Sequence, residues 1–209
     1  KCKNCIEKIR NMYRQIRKIF VRFNDFLGRL LGYKLKRVTY SRPSTLKAKE
    51  IFKDEPIRVI EIGCAAGNNS LDILNQLNVS EYIIIDPYEK ASGASYDDYD
   101  HERLVLMRKQ SAERLAKHHS KINWIYDFSD QAIKEIDGKF DYIYIDGDHS
   151  YSYALSDMRN YSKLLSDRFI LGGHDIDQPD VAKAFIEFIG ENHYENIEIL
   201  DPDWLIYKK

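Results

Sequence analysis

Two periodicities divide the chain. Between residues 5 and 31, apolar side chains recur at helical spacing (Ile6, Ile9, Tyr13, Ile16, Phe20, Phe23, Leu27, Leu30), with Lys and Arg on the opposite face. This predicts a basic amphipathic helix at the N-terminus. Its apolar stripe is long enough to need burial, on the body of the protein or on a second copy in a homodimer. A basic amphipathic helix is also compatible with peripheral contact at a membrane surface. "SRPST", residues 41–45, interrupts this segment and can start another helix running to Phe52.

From residue 57 the pattern changes to short apolar runs alternating with amphipathic stretches. The runs predict strands at 57–62, 82–85, 122–126, 140–145 and 169–171, and the stretches between them predict helices at 68–78, 99–119, 129–137, 150–165 and 179–191. Such alternation implies a parallel sheet covered on both faces. The end differs: "IEIL", "DPD" and "WLIYK" read as two strands joined by a tight turn, an antiparallel hairpin at the sheet edge. The expected organisation is an N-terminal helical extension, 1–52, and an α/β domain, 53–209.

Composition refines this. The 209 residues are 44% hydrophobic and 31% charged, as expected of one soluble globular domain. The net charge of -1 hides an asymmetry, since residues 1–40 carry twelve Lys/Arg against Glu7 and Asp25 while the remainder carries 20 Lys/Arg against 31 Asp/Glu. A basic leader therefore precedes an acidic body, and an acidic body disfavours nucleic acid as a partner. The three cysteines are too few for a disulfide framework. Cys2 and Cys5 form a lone C-x-x-C without the second pair of a zinc ribbon, so a reduced pair and a cytoplasmic setting are expected. No apolar run reaches the eighteen or so residues of a membrane span, and there is no signal-peptide pattern.

In open α/β sheets ligands bind beyond the carboxyl ends of the strands. At the first of these, "VIEIGCAAGNNS" passes from strand through a glycine turn into a helix that Asn68, Asn69 or Ser70 can cap. Gly63 and Gly67 allow close backbone approach to a ligand. The spacing is G-x-x-x-G rather than the dinucleotide G-x-G-x-x-G, and Glu61 before the first glycine would repel a pyrophosphate but accept from an amino group. The next strand ends in "IIIDP", placing Asp86 about twenty residues past the turn, where an acid grips ribose hydroxyls. These features suit an adenosine with a cationic amino-acid tail better than NAD.

With "EIGCAAG" and "IDP" followed by "IDGDHSY" and "GGHD", the chain resembles the class I S-adenosylmethionine-dependent methyltransferases. Within them it resembles the branch of catechol and macrocin-type sugar O-methyltransferases, over about residues 57–209. The resemblance implies a Rossmann-like seven-stranded sheet, mostly parallel with its last strand antiparallel, and S-adenosylmethionine as cofactor. It implies that Glu61, Gly63 and Gly67 line the methionine end, that Asp86 holds the ribose, and that Ser129 of "YDFS" lies beside the adenine. The implied reaction is in-line methyl transfer to a hydroxyl of a small acceptor such as a sugar or glycan unit.

Such a transfer needs alignment of donor and acceptor and removal of the hydroxyl proton. The resemblance implies a divalent metal, Mg, Mn or another ion, held by Asp146, His174 and Asp175, with Asp146 also facing the donor methyl. His174 stands where the metal-dependent relatives carry an oxygen ligand, which disfavours magnesium. The alternative is a His/Asp base in which His149 or His174 takes the proton. Asp148 or Ser150 can instead cap the helix that follows, and Asp157 within that helix is expected at the surface. The long stretch 88–102, rich in Tyr, Asp, Gly and Ser, is a candidate acceptor loop. The competing functional readings are an NAD-dependent oxidoreductase, a non-haem iron enzyme using His149, His174 and Asp175, and a non-catalytic interaction protein that keeps the fold.

Overall fold

The computed structural model describes residues 41–89 and 100–209. The basic amphipathic segment, Cys2 and Cys5, and most of the 88–102 stretch lie outside the described residues. Ser41–Lys209 forms one compact unit. It contains the helix Pro43–Phe52 (α1), which the sequence pattern had grouped with the N-terminal extension.

Seven strands make one sheet: β1 (Ile57–Ile62), β2 (Val79–Ile85), β3 (Ile122–Ile125), β4 (Phe140–Ile145), β5 (Leu165–Gly173), β6 (Asn196–Leu200) and β7 (Asp203–Lys208). Their order is β3-β2-β1-β4-β5-β7-β6. The contacts among β1 to β5 are parallel, while β5 and β6 both pair antiparallel with β7. The expected Rossmann-like seven-stranded sheet with an antiparallel last strand is thus the observed one. The order reverses between β1 and β4, where a doubly wound sheet opens its ligand crevice.

Helices α1, α2 (Asn68–Gln76) and α3 (His101–Leu115) cover one face, and α4 (Ser129–Ala132), α5 (Tyr151–Tyr161) and α6 (Pro179–Glu191) belong to the other. Two apolar layers result. One joins Phe185 and Phe188 of α6 to Ile143, Leu171 and Trp204; the other joins Ala48 and Phe52 of α1 to Val59, Tyr82 and Ile170. The start of α1 packs tightly on β5: a Cβ on Gly172 would stand 2.5 Å from that of Ser44. Ser44 and Thr45 there bond the buried Tyr142 hydroxyl at 2.8 and 3.1 Å.

Several elements differ from expectation at their ends. Strands β2 and β5 start at Val79 and Leu165, well before the apolar residues that signalled them, because neighbouring backbone rather than side-chain pattern extends the ladder. The helices expected over 99–119, 129–137 and 150–165 end early, at Leu115, Ala132 and Tyr161, each tightening into a 3₁₀ turn. No described helix is long and apolar enough to cross a membrane.

Candidate active site

The turn after β1 is built on positive φ angles, +83° at Gly63, +47° at Ala65 and +74° at Gly67. At Gly63 a side chain is excluded twice over, because a Cβ would lie 1.9 Å from the Asp146 carbonyl oxygen in addition to the unfavourable φ. The missing atom lets the β1 and β4 strand ends touch. Asp86, at the end of β2, ties the turn down. Its Oδ2 accepts from the Cys64 and Ala65 amides at 2.9 and 2.8 Å, and its Oδ1 from the Tyr88 amide at 2.9 Å. Burial raises the Asp86 pKa, and these amide bonds oppose the rise. The Tyr88 hydroxyl, 3.0 Å from the Ala65 carbonyl and 2.7 Å from Ser111 Oγ of α3, ties the same turn to that helix.

Glu61 is fully buried beneath this turn. It accepts hydrogen bonds from Asn69 Nδ2 and the Tyr82 hydroxyl, each at 2.8 Å, and from Ser70 Oγ. Burial pushes its pKa up to about 7 against the pull of these three donors. Asn69 and Ser70 thus turn inward to Glu61 instead of capping α2, whose N-cap position falls to Gly67 with no side-chain cap bond.

Beyond β3, Phe128 and Ser129 stand at the start of α4. The Ser129 hydroxyl donates to Asp157 Oδ1 at 2.5 Å, and the Tyr161 hydroxyl donates to the Ser129 carbonyl at 2.8 Å. The expectation of a surface Asp157 is corrected here: it is 3% exposed, because its turn of α5 faces α4 across the apolar layer. Burial pushes its carboxyl up to about 7, and the Ser129 bond only partly offsets this.

The ends of β4 and β5 bring four ionisable groups together. His149 Nε2 and His174 Nδ1 both contact Asp175 Oδ2, at 2.8 and 3.0 Å, and His174 Nδ1 lies 3.8 Å from Asp146 Oδ1. Asp175 adopts φ +59°, an uncommon backbone for a residue with a side chain, which is how its carboxylate comes to stand between the two rings. Burial alone would raise the Asp175 pKa, but the two histidines outweigh it and hold the group well below the usual carboxylate range. Burial alone would lower both imidazoles, but Asp175 and Asp146 raise them above their ordinary value. Asp146 is pushed up to about 6 by burial, against the pull of His174 and with the repulsion of Asp175. One ligand atom each from Asp146, His149 and Asp175 lie within 4.8 Å of one another, a spacing that fits a divalent ion. His174, expected among the metal ligands, places its Nδ1 against two of the trio, Asp146 and Asp175. Asp148 Oδ1 accepts from the Ser150 amide at 2.7 Å, so its local role is to shape the turn into α5.

These elements line one cavity of about 420 Å³ at the carboxyl edge of the sheet. Gly63, Asp86, Ser129, Asp146, His149, His174 and Asp175 all belong to its wall. Glu61 and Gly67 do not: Glu61 lies behind the turn, and Gly67 packs against Ser111, 3.2 Å from where a Cβ would stand.

A family model described as a methyltransferase domain, Methyltransf_24, matches residues 60–176, from within β1 to just past β5. The chain belongs to this methyltransferase family. The family match disfavours the NAD-dependent alternative. A search of curated proteins found no match. Among solved structures the methyltransferase resembles a Klebsiella pneumoniae protein assigned as an O-methyltransferase (14% identity, 83% of this chain and 82% of that one covered, TM-score 0.58). It also resembles a precorrin-6y C5,15-methyltransferase from Geobacter metallireducens (13% identity, 83% of this chain and 90% of that one, TM-score 0.57). A third is the SAH-bound methyltransferase PaMTH1 of Podospora anserina (16% identity, 79% and 76%, TM-score 0.54). At these identities the likeness is one of fold.

Three residues of the methyltransferase cavity were not expected to line it from the sequence. Arg42, just before α1, reaches the histidine end with Nη1 3.4 Å from Asp203 Oδ1. Asn69 offers a buried Oδ1 with no hydrogen-bond partner among the described residues, and Asp157 faces in from α5. Only the crossover connections bring them to this edge of the sheet.

Proposed function

We propose that the protein is an S-adenosylmethionine-dependent O-methyltransferase acting on a hydroxyl of a small acceptor. The observation that carries this reading is the single cavity that joins the glycine turn and Asp86 at one end to Asp146, His149, His174 and Asp175 at the other. The turn and Asp86 suit the ribose, the unpartnered Asn69 Oδ1 suits the ammonium group of the amino-acid tail, and the adenine then lies toward Phe128 and Ser129. The SAH-bound Podospora protein supports the choice of donor.

At the other end the residues suit removal of a hydroxyl proton. Asp175 orients both imidazoles, and an imidazole titrates near working pH. The acceptor oxygen attacks the sulfonium methyl, a C–O bond forms as the C–S bond breaks, the base takes the hydroxyl proton, and S-adenosylhomocysteine leaves. Asp146, His149 and Asp175 would hold a divalent ion, which would lower the pKa of a bound hydroxyl. The mixed N/O set suits Mn, Fe or Zn better than Mg.

The test is isothermal titration with S-adenosylhomocysteine, then methyl transfer to catechols, sugars and glycan units, with and without chelator. Binding with Kd in the micromolar range and transfer abolished by Asp146→Ala are expected. Tight NADH binding without S-adenosylhomocysteine binding would overturn the donor assignment. Transfer that survives Asp146→Ala would overturn the catalytic one.

A further inference from the structure

We propose that Arg42 selects an acceptor that carries a carboxylate beside its reacting hydroxyl, a hydroxy acid such as a uronate. This rests on the O-methyltransferase reading above and names its substrate class. Among the described residues, Arg42 is the only lysine or arginine in the cavity wall, whose other ionisable groups include the acids and histidines of the β4 and β5 ends. Its charge acts on Asp146, Asp175 and His174, which places it at the chemical end of the cavity. Without a cation, that acidic wall would repel an anionic acceptor. The backbone of Arg42 is fixed. Pro43 follows it as the first residue of α1, its carbonyl accepts from the Leu46 amide at 3.0 Å, and the adjoining Ser41 donates to Asp72 of α2 at 3.0 Å.

The guanidinium is anchored but not saturated. Its only hydrogen-bond partner among the described residues is Asp203, whose two carboxylate oxygens lie 3.4 and 3.5 Å from Nη1. A charge-assisted bond ordinarily closes to about 2.7–2.9 Å. Asp203 is buried and takes the Tyr144 hydroxyl at 3.1 Å, so it holds one corner of the group in place. The Arg42 side chain is still 30% exposed. A guanidinium offers five N–H groups in a planar fork that matches a carboxylate, and Asp203 engages one corner of it. The remaining edge suits a second, bidentate anion. Two carboxylates could reach it, that of the donor's amino-acid tail and that of an acceptor. Asn69 Oδ1 suits the ammonium of the tail at the glycine turn, whereas Arg42 faces the Asp146 and Asp175 end, where the acceptor hydroxyl loses its proton. The acceptor is therefore the favoured source.

Isothermal titration of the full chain, saturated with S-adenosylhomocysteine, tests this with pairs matched in shape but not in charge: glucuronate against glucuronamide, and salicylate against salicylamide. The wild type should bind at least one acid about 10- to 100-fold more tightly than its amide, the range for bonds to a charged group. Arg42→Gln should remove that preference by weakening the acid. Arg42→Lys keeps the charge but not the fork, and should retain only part of it. Should Arg42→Gln fail to fold, Arg42→Lys must still narrow the preference. Titration of each variant with S-adenosylhomocysteine separates the two carboxylates: a loss of about tenfold or more there would assign Arg42 to the donor's tail and overturn the proposal. A wild type that prefers neither acid, or a preference unchanged in both variants, would also overturn it while leaving the donor reading intact. A wild type that does not bind S-adenosylhomocysteine would sink both.

Discussion

Glu61 sets burial against hydrogen bonding, and the balance is measurable. Three donors favour its ionised form, yet a fully buried carboxylate loses its hydration, and the group ends raised from 4.5 to about 7. An acid with a raised folded pKa is bound to its proton more tightly in the native state. Its contribution to stability is whole below the unfolded value of 4.5 and is lost as the pH climbs through 7. At about 1.4 kcal/mol per pKa unit, the loss amounts to about 3 kcal/mol. Glu61→Gln removes the titration with little change of shape. Urea unfolding of wild type and variant between pH 4.5 and 8 isolates the effect, since groups common to both cancel in the difference. The difference should move in the variant's favour by about 3 kcal/mol across that window. A flat difference would mean that burial and hydrogen bonding cancel at this carboxyl. Movement in favour of the wild type would mean that the three donors win and that Glu61 is a stabilised carboxylate.

Gly63→Ala combines an unfavourable φ with a backbone collision at the Asp146 carbonyl, so it should destabilise by more than about 2 kcal/mol and weaken S-adenosylhomocysteine binding at least tenfold. Wild-type stability and affinity in that variant would contradict the contact between the β1 and β4 ends. Phe185→Ala empties a fully buried site against Trp204, whose ring centroid is 4.8 Å away, and should cost about 3–5 kcal/mol in urea unfolding. A loss under about 1 kcal/mol would mean that this layer can collapse around the gap.

The element types and the family are legible in the chain because each rests on local pattern. Apolar runs such as "VIEIG" and "FDYIYI" mark strands buried on both faces, and the glycine spacing follows from a turn that must bend where it does. Gly63, Asp86, Asp146, His149, His174 and Asp175 were recognisable because each closes a strand or begins the turn after one, and strand ends converge by topology. Asp157 and Arg42 were not, since neither belongs to a strand-end motif. Helical spacing places Asp157 on a polar-looking turn, and only the packing of α5 against α4 makes that turn an interior.

The amino-acid order alone determines the alternation of strands and helices, the closing hairpin and the set of acids and histidines at the sheet edge. Chain pattern is local, and these features are local consequences of it. Tertiary structure decides which of those groups touch. Asp175 takes a left-handed backbone and gathers both imidazoles, which brings His149 into a candidate ion site with Asp146. The same packing moves Glu61 behind the cavity wall and brings Asp157 into it. Distances between residues far apart in the chain, and the burial that shifts their pKa values, exist only once the crossovers have closed.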